Sequence, residues 1–512
     1  MWRNHNPVSL FALLAMLAGL VPFTSQQKHG RVSPGFASDH TSLAPQAFLP
    51  SKYLWHTFYG ASESDTGNDV AVDKQGNIYV VSSSEPGWLG DNGQSPLHSH
   101  SGGYDIVVIK LNSSGVYQWH TFLGCSSADF GDGIALDNAG NIFIVGSSAL
   151  SWYGDGSINP LHEHSQGSYN LVIVKLSQDG AYQWHTFYGL NGSSAVYTYG
   201  KDIDLDPAGN PVVVSYTNAA WQGDQGASPL HDFSGGGEIA VIKLSGNGAY
   251  QWHTFYGSSS DDNSWFIDVD ASGNVWVPGT SEASWLGNSD EPPLHAYSGG
   301  KDMVVLKLNS NGGYLWHTFY GSSSDDGSEG LSSDGLGGAV VAGYSTASWQ
   351  APGPVNPLHV FSGGGDIVVL KLNSAGGYQW HTFYGSGASD GGNNARVSER
   401  GDIYVLGSSE ASWQGNGNTS PLHPAHANDL VLLKLTASGS YLWHTFYGSG
   451  NRDWGRNIAL DSIGNILISG ASEASWLGDG NAAPLHPFTP SDEEILVLKF
   501  AGGQYFLPLL QR

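Results

Sequence analysis

The stretch Tyr182-Gln183-Trp184-His185-Thr186-Phe187-Tyr188 decides the fold, because its core recurs throughout the chain. Trp-His-Thr-Phe begins at Trp55, Trp119, Trp184, Trp252, Trp316, Trp380 and Trp443, at intervals of 64, 65, 68, 64, 64 and 63 residues. A fixed period of this length marks an array of supersecondary units, each unable to bury its hydrophobic faces alone. Working outward from 182–188, residues 171–176, 141–145 and 134–136 are also short, apolar and β-branched, with Gly-, Asn- and Ser-rich turns between them. These are four strands, here lettered A to D in chain order. Asp137-Asn138-Ala139-Gly140-Asn141 and Ser177-Gln178-Asp179-Gly180 are tight hairpin turns with Gly at positive φ, so A pairs with B and C with D, antiparallel. Strand C is apolar on both faces and strand D carries aromatics on both, so each sheet is covered on both sides. Small Ala and Gly on strand A place it at the crowded centre, and the large rings of strand D belong at the periphery.

The chain starts on an unpartnered strand D, residues 53–59, and ends after a strand C, residues 495–500. Each supplies what the other lacks. The expected fold is therefore all-β: a seven-bladed β-propeller of four-stranded antiparallel blades over residues 51–500, closed by pairing of the N-terminal strand with the C-terminal blade. Gly503-Gln504-Tyr505-Phe506 resembles the start of another strand D and competes for that edge, but it lacks the Trp-His-Thr-Phe core.

The pattern Asp-Gly-x-x-Ile-Ala-x-Asp-x-x-Gly-Asn-Ile-Tyr-Val-x-Gly, then Asp-Ile-Val-Val-Leu-Lys-Leu-Asn-x-x-Gly, then Tyr-x-Trp, resembles the bacterial SBBP β-propeller repeat. The resemblance implies a secreted or surface propeller and carries no common enzymatic activity. The B–C segment departs from the pattern by containing Ser-Trp-x-Gly and Pro-Leu-His.

Composition agrees with this reading. At 512 residues the chain exceeds what one hydrophobic core can serve, and its 71 Gly, 18 Trp and 24 Tyr with 12% charged residues suit turns and strands rather than long helices. A formal charge of −26 opposes phosphate backbones, which excludes nucleic acid as an expected partner. Cys125 is the single cysteine and can form no internal disulfide. Residues 1–23, with Arg3 and an apolar run over 8–20, read as a signal peptide, with a retained N-terminal anchor as the competing reading. Residues 24–50 read as a linker and 501–512 as a C-terminal tail. The expected product is a secreted or cell-surface monomer with no other transmembrane segment.

By topology the D–A and B–C loops share one rim, where a functional surface is expected. Trp88, Trp152, Trp221, Trp285, Trp349, Trp413 and Trp476 there read either as exposed platforms for sugar rings or as rings that pack their own loops. His98, His162, His231, His295, His359, His423 and His486 of Pro-Leu-His read as hydrogen-bonded structural groups, with metal ligation the weaker alternative. Asp65, Asp129, Asp262, Asp326, Asp390 and Asp453, with Ser194 in the remaining unit, read either as a carboxylate ring holding calcium or as caps of the D–A turns. No other cofactor is indicated. Catalysis needs unlike groups in defined roles, which a seven-fold residue cannot supply alone, so no catalytic residue is assigned. The departures from the repeat are Tyr197, Tyr199, Lys201, Trp265, Arg452, Trp454 and Arg456, along with Asp453. The leading expectation is a binding or scaffold module without catalytic activity, for an extracellular glycan or surface protein. The alternatives are a polysaccharide hydrolase or lyase working at the axial mouth, and a purely structural surface module.

Overall fold

Seven antiparallel sheets, each with four strand positions, form a closed ring in the computed structural model, which describes residues 52–502 apart from 62–63, 168, 191, 193–194 and 490–491. Blade one runs Asp65–Val72, Ile78–Ser84, Asp105–Leu111 and Tyr117–Leu123 as strands A to D. Blades two to six repeat that order, ending at Tyr188, Tyr256, Tyr320, Tyr384 and Tyr447. Blade seven takes Asp453–Leu460, Ile466–Ser472 and Glu494–Phe500 from the C-terminal part and Tyr53–Tyr59 from the N-terminal part. Their register sets His56 opposite Leu498 and Phe58 opposite Leu496, so the ring is closed by the strand expected to close it. The signal peptide, the linker and the competing segment 503–506 lie outside the described residues. Among the described residues no helix is long and apolar enough to cross a membrane.

The core consists of seven clusters, each between neighbouring blades. One joins Phe143, Ile173 and Trp184 of blade two to Val213, Ile242 and Phe255 of blade three, and another closes the ring by joining Ile495, Val497 and Tyr59 to Val80, Val107 and Phe122. This is the two-faced burial that the apolar strand C requires. Lysines of strand C tie blades together at the far face: Lys243 Nζ lies 2.8 Å from Asp206 Oδ2 of its own blade and donates to Ser310 O of the next at 3.0 Å.

Two features of the ring go beyond what the repeat pattern conveys. In six blades the A–B register slips between the third and fifth residues of strand A, as at Gly67/Asp69 and Gly200/Asp202. This is a bulge, and it aims the residue between them out of the ladder toward the axis. In blade four strand A splits instead into Asp262–Asn263 and Asp268–Val269, with Trp265 between them. In blades two, five, six and seven strand B accommodates the bulge with glycine, and in blades one and three with Ser82 and Ser215: a Cβ on Gly146 would stand 1.8 Å from Phe130 O, and one on Gly343 would stand 1.9 Å from Gly327 O.

The second feature refines the expected rim. The ends of the B–C segments do lie beside the D–A loops, as where Asp129 N–H donates to Tyr104 O at 2.7 Å, but their middles turn over the outer edge, where Pro-Leu-His lies against strand D. In blade one Leu97 N–H donates to His120 O at 2.9 Å and Phe122 N–H donates to His98 O at 3.2 Å, and every blade repeats the pair. The bonds occupy strand D groups that a bare outer edge would offer to another chain. The leucine then covers the next blade's C–D turn, Leu97 Cδ1 lying 2.5 Å from where a Gly180 Cβ would stand.

Candidate functional site

The seven-fold residues serve the scaffold. Trp152, Trp221, Trp285, Trp349, Trp413 and Trp476 are buried, between 3% and 7% exposed, and Trp88 is half-buried. Each indole stacks on the histidine of Trp-His-Thr-Phe, with centroids 3.7 to 4.2 Å apart. In blade four the Tyr314 hydroxyl meets His317 Nδ1 at 2.8 Å and His317 Nε2 meets Trp285 O at 3.2 Å. A carbonyl can only accept, so Nε2 carries the proton and Nδ1 accepts from the tyrosine. Burial holds His317 down at about 4 from its ordinary 6.5, so the ring is neutral. The expectation of exposed sugar platforms at these tryptophans is corrected: an imidazole covers one face of each indole.

The Pro-Leu-His histidines are structural as well. His162, His231, His295, His359 and His486 bond the strand D phenylalanine carbonyl through Nδ1 at 2.7 to 2.9 Å and stack on its tyrosine. His98 Nε2 instead reaches Asp155 of the next blade at 2.7 Å.

Asp65, Asp129, Asp262, Asp326, Asp390 and Asp453 open strand A, one per blade, and are all buried. One oxygen of each accepts the backbone N–H four residues earlier, at 2.5 to 2.8 Å. In the last five the other oxygen takes the hydroxyl of Ser148, Ser281, Ser345, Ser409 or Ser472. These bonds commit the carboxylates to capping the turns that precede strand A. Among the described residues no group of three or more His, Cys, Asp or Glu could hold a metal ion. Ser194 lies outside the described residues; blade three has a longer D–A loop, and its strand A opens at Thr198, whose Oγ1 lies 3.0 Å from Thr217 Oγ1. The Cys125 thiol lies 3.1 Å from Asp129 Oδ2, and burial with that carboxylate pushes it up to about 12, so it is inert.

Carboxylates lower in the channel are occupied by backbone. Asp69 Oδ2 accepts Ile134 N–H at 2.8 Å, Asp202 Oδ2 accepts Ile267 N–H at 3.0 Å, and Asp204 Oδ2 accepts Val269 N–H at 2.7 Å. Each bridges the strand A of one blade to that of the next and satisfies amides that face the axis.

The loop face differs from this symmetry in one sector. Tyr104 of blade one, Phe130 and Tyr169 of blade two, and Tyr199, Tyr197 and Tyr216 of blade three form a continuous arc of half-buried rings. Successive centroids are 5.4, 6.2, 5.4, 4.7 and 5.5 Å apart. At its far end the Tyr216 hydroxyl reaches Asp261 of blade four at 3.3 Å. On the axial side Lys201 Nζ lies 5.4 Å from the Tyr199 ring and 4.0 Å from that of Trp265, which is 43% exposed. Asp132, Lys201, Glu329 and Arg456 are the bulge residues of four blades and feel one another's charge across the mouth. Burial lowers Lys201 and pushes Glu329 up to about 7.

Of the arc, Tyr197 and Tyr199 were singled out from sequence, whereas Tyr104, Phe130, Tyr169 and Tyr216 were missed. The available signal was positional. Where blades one and two have Tyr104 and Tyr169 before strand C, blades three and five have Gly237 and Gly365. Where blades two and three have Phe130 and Tyr199, blades five and six have Gly327 and Gly391.

Residues 54–85 and 118–149 match the SBBP family, described as a β-propeller repeat. An uncharacterized WD repeat-containing protein of Acanthamoeba polyphaga mimivirus is 21% identical over 359 residues, 58% of this chain and 26% of that protein. The match therefore spans about a quarter of that relative's length. Among solved structures, a polysaccharide lyase described as an ulvan lyase is 12% identical, with 89% of this chain and 96% of that chain covered and a TM-score of 0.44. The Neurospora crassa Pan2 WD40 domain is 7% identical, with 88% and 95% covered and a TM-score of 0.39. Neither likeness bears on function. With all seven units built as four-stranded blades, the chain is a seven-bladed β-propeller that carries SBBP-like repeats over residues 54–85 and 118–149.

Proposed function

We propose that the protein is an extracellular, non-enzymatic binding module that holds a glycan chain along the aromatic arc of blades one to three. The observation that carries this reading is the arc itself: six adjacent half-buried rings at positions that are mostly small or polar in the other blades, with Tyr344 of blade five and Trp454 of blade seven as the exceptions. Stacked and tilted rings at this spacing offer successive apolar faces to pyranose rings, and tyrosine hydroxyls add hydrogen bonds at little entropic cost. The scaffold supports the role, because seven clusters and capped outer edges hold the loop face rigid. The apolar run over residues 8–20 supports secretion or display at the cell surface. Binding fits better than hydrolysis or elimination, because the channel carboxylates Asp69, Asp202 and Asp204 are committed to backbone N–H groups.

A glycan array tests this. Wild type is expected to bind a subset of polysaccharides, and Tyr169→Ala and Tyr199→Ala are each expected to weaken binding about tenfold, in line with aromatic hot spots, without moving the melting temperature. A blank array, or full binding by the Tyr169→Ala/Tyr199→Ala double variant, would remove the proposal. Release of reducing ends or of unsaturated sugars from a bound polysaccharide would replace it with an enzymatic reading.

A further inference from the structure

Each blade junction brings together the residue that opens that blade's strand C and the one that opens the next blade's strand A, and at five junctions both lie against the glycine that follows strand D. At six junctions both are acids: Asp105 with Asp129, Glu238 with Asp262, Asp302 with Asp326, Asp366 with Asp390, Asp429 with Asp453, and Glu494 with Asp65. The point a Gly321 Cβ would occupy lies 2.6 Å from Asp302 Oδ1 and 3.0 Å from Asp326 Oδ2, and the Gly385 point lies 2.6 Å from Asp366 Oδ1 and 2.9 Å from Asp390 Oδ2. All six strand C acids are fully buried. One oxygen of each accepts a backbone N–H, as Asp302 Oδ2 does from Ser298 at 2.6 Å, while the other, such as Asp302 Oδ1, has no donor among the described residues.

We infer that each pair is a proton-binding site in which the strand C acid carries a proton on its bare oxygen and donates it to the strand A carboxylate of the next blade. Two unsolvated carboxylates sharing a glycine cannot both stay charged, and one shared proton removes the conflict and adds a hydrogen bond across the junction. At five junctions the proton belongs on the strand C member, because the strand A member already has donors enough to hold its charge, whereas at the sixth Asp65 Oδ1 also has no donor among the described residues. Asp326 takes Ser322 N–H, Ser322 Oγ–H and Ser345 Oγ–H.

The seventh junction supports the assignment independently. There Asn170 replaces the strand C acid, and Thr198 replaces its partner. Asn170 Oδ1 accepts Ser165 N–H at 2.7 Å, as the paired aspartate oxygens do, and Nδ2 lies 2.9 Å from the Gly189 Cβ point, where the bare oxygen sits elsewhere. An amide is the neutral, hydrogen-donating likeness of a protonated carboxyl group. The two acids are absent together, which is the pattern of a unit.

Burial, reinforced by the partner carboxylate, pushes Asp302 and Asp366 up to about 7 from 3.8. A raised carboxyl contributes stability that is complete below its ordinary value and is lost as pH rises through about 7. The strand D histidines, held down at about 4, lose stability as pH falls through the same interval, so the two sets oppose and variants must separate them. Charged neighbours at the two test junctions are Asp325 beside Asp326, Glu410 beside Asp390, and the Lys301–Glu282 pair next to Asp302. The Tyr297 phenol also faces Asp302.

The test compares wild type with Asp302→Asn and Asp366→Asn, each copying the amide that Asn170 supplies at the seventh junction, by chemical denaturation between pH 4 and 8.5. Relative to wild type, each variant is expected to gain about tenfold in folding constant per pH unit between about 4 and 7, the linkage of one proton. Infrared spectra of wild type at pH 6 are expected to contain buried protonated carboxyl bands that shift in D2O, and each variant is expected to lose one. Parallel pH profiles with unchanged bands would overturn the inference. So would stabilisation of wild type by added calcium that Asp302→Asn abolishes, since the pair would then hold a cation. If a variant does not fold, absence of the buried acid bands from wild type has the same force.

Discussion

Deletion of residues 1–60 is expected to destroy the monomeric ring. The closing strand brings Tyr53, Phe58 and Tyr59 into the core, each at most 4% exposed. At about 1.5–3 kcal/mol for each fully buried side chain, their loss removes a sum comparable to the net stability of a whole domain. It also bares the Glu494–Phe500 strand, a fully buried and wholly apolar run apart from its two charged residues, as a flat edge. Size-exclusion chromatography should show self-association or aggregation, and the cooperative melting transition should be lost. A circular permutant that begins in the 60–64 loop and carries residues 52–60 after Gly502 should restore a monomer with near wild-type melting. Equal behaviour of the deletion and the wild type would show that the ring does not need this strand.

Trp285→Ala is expected to be the most damaging single substitution outside the glycines. The indole is 6% exposed, lies in the cluster between blades three and four, stacks on His317 at 3.8 Å and meets Phe319 edge-on at 5.8 Å. Truncation removes this packing and leaves a cavity beside an imidazole, at about 3–5 kcal/mol. Equilibrium denaturation should show that loss, whereas glycan binding at a temperature where the variant is folded should be unchanged. Loss of binding without loss of stability would instead place these tryptophans at the ligand. Tyr314→Phe should cost only about 1 kcal/mol, the worth of the hydroxyl donated to His317.

These two predictions rest on features that the sequence makes legible to different degrees. The period, the hairpin glycines and the unpartnered strands at 53–59 and 494–500 are local patterns, and closure follows from them. That the tryptophans pack was one of two readings, because an indole on a loop has the same letter whether it meets an imidazole or solvent. The path of Pro-Leu-His was illegible for another reason: its bonds to strand D use backbone N–H and C=O, which carry no side-chain signature. The strand A bulge requires knowledge of the A–B register. The arc required nonlocal knowledge, since Tyr104, Tyr169 and Tyr216 become neighbours only when three blades are set side by side.

Repetition builds the scaffold, and the proposed glycan site lies where the repeat is broken. The most direct check uses protein labelled with 3-fluorotyrosine and titrated with an oligosaccharide retained on the array, with resonances assigned by Tyr→Phe substitution. Fluorine shifts confined to Tyr104, Tyr169, Tyr197, Tyr199 and Tyr216 are predicted. Shifts at Tyr344 or at the outer-strand tyrosines Tyr314 and Tyr378, with the arc silent, would contradict the account.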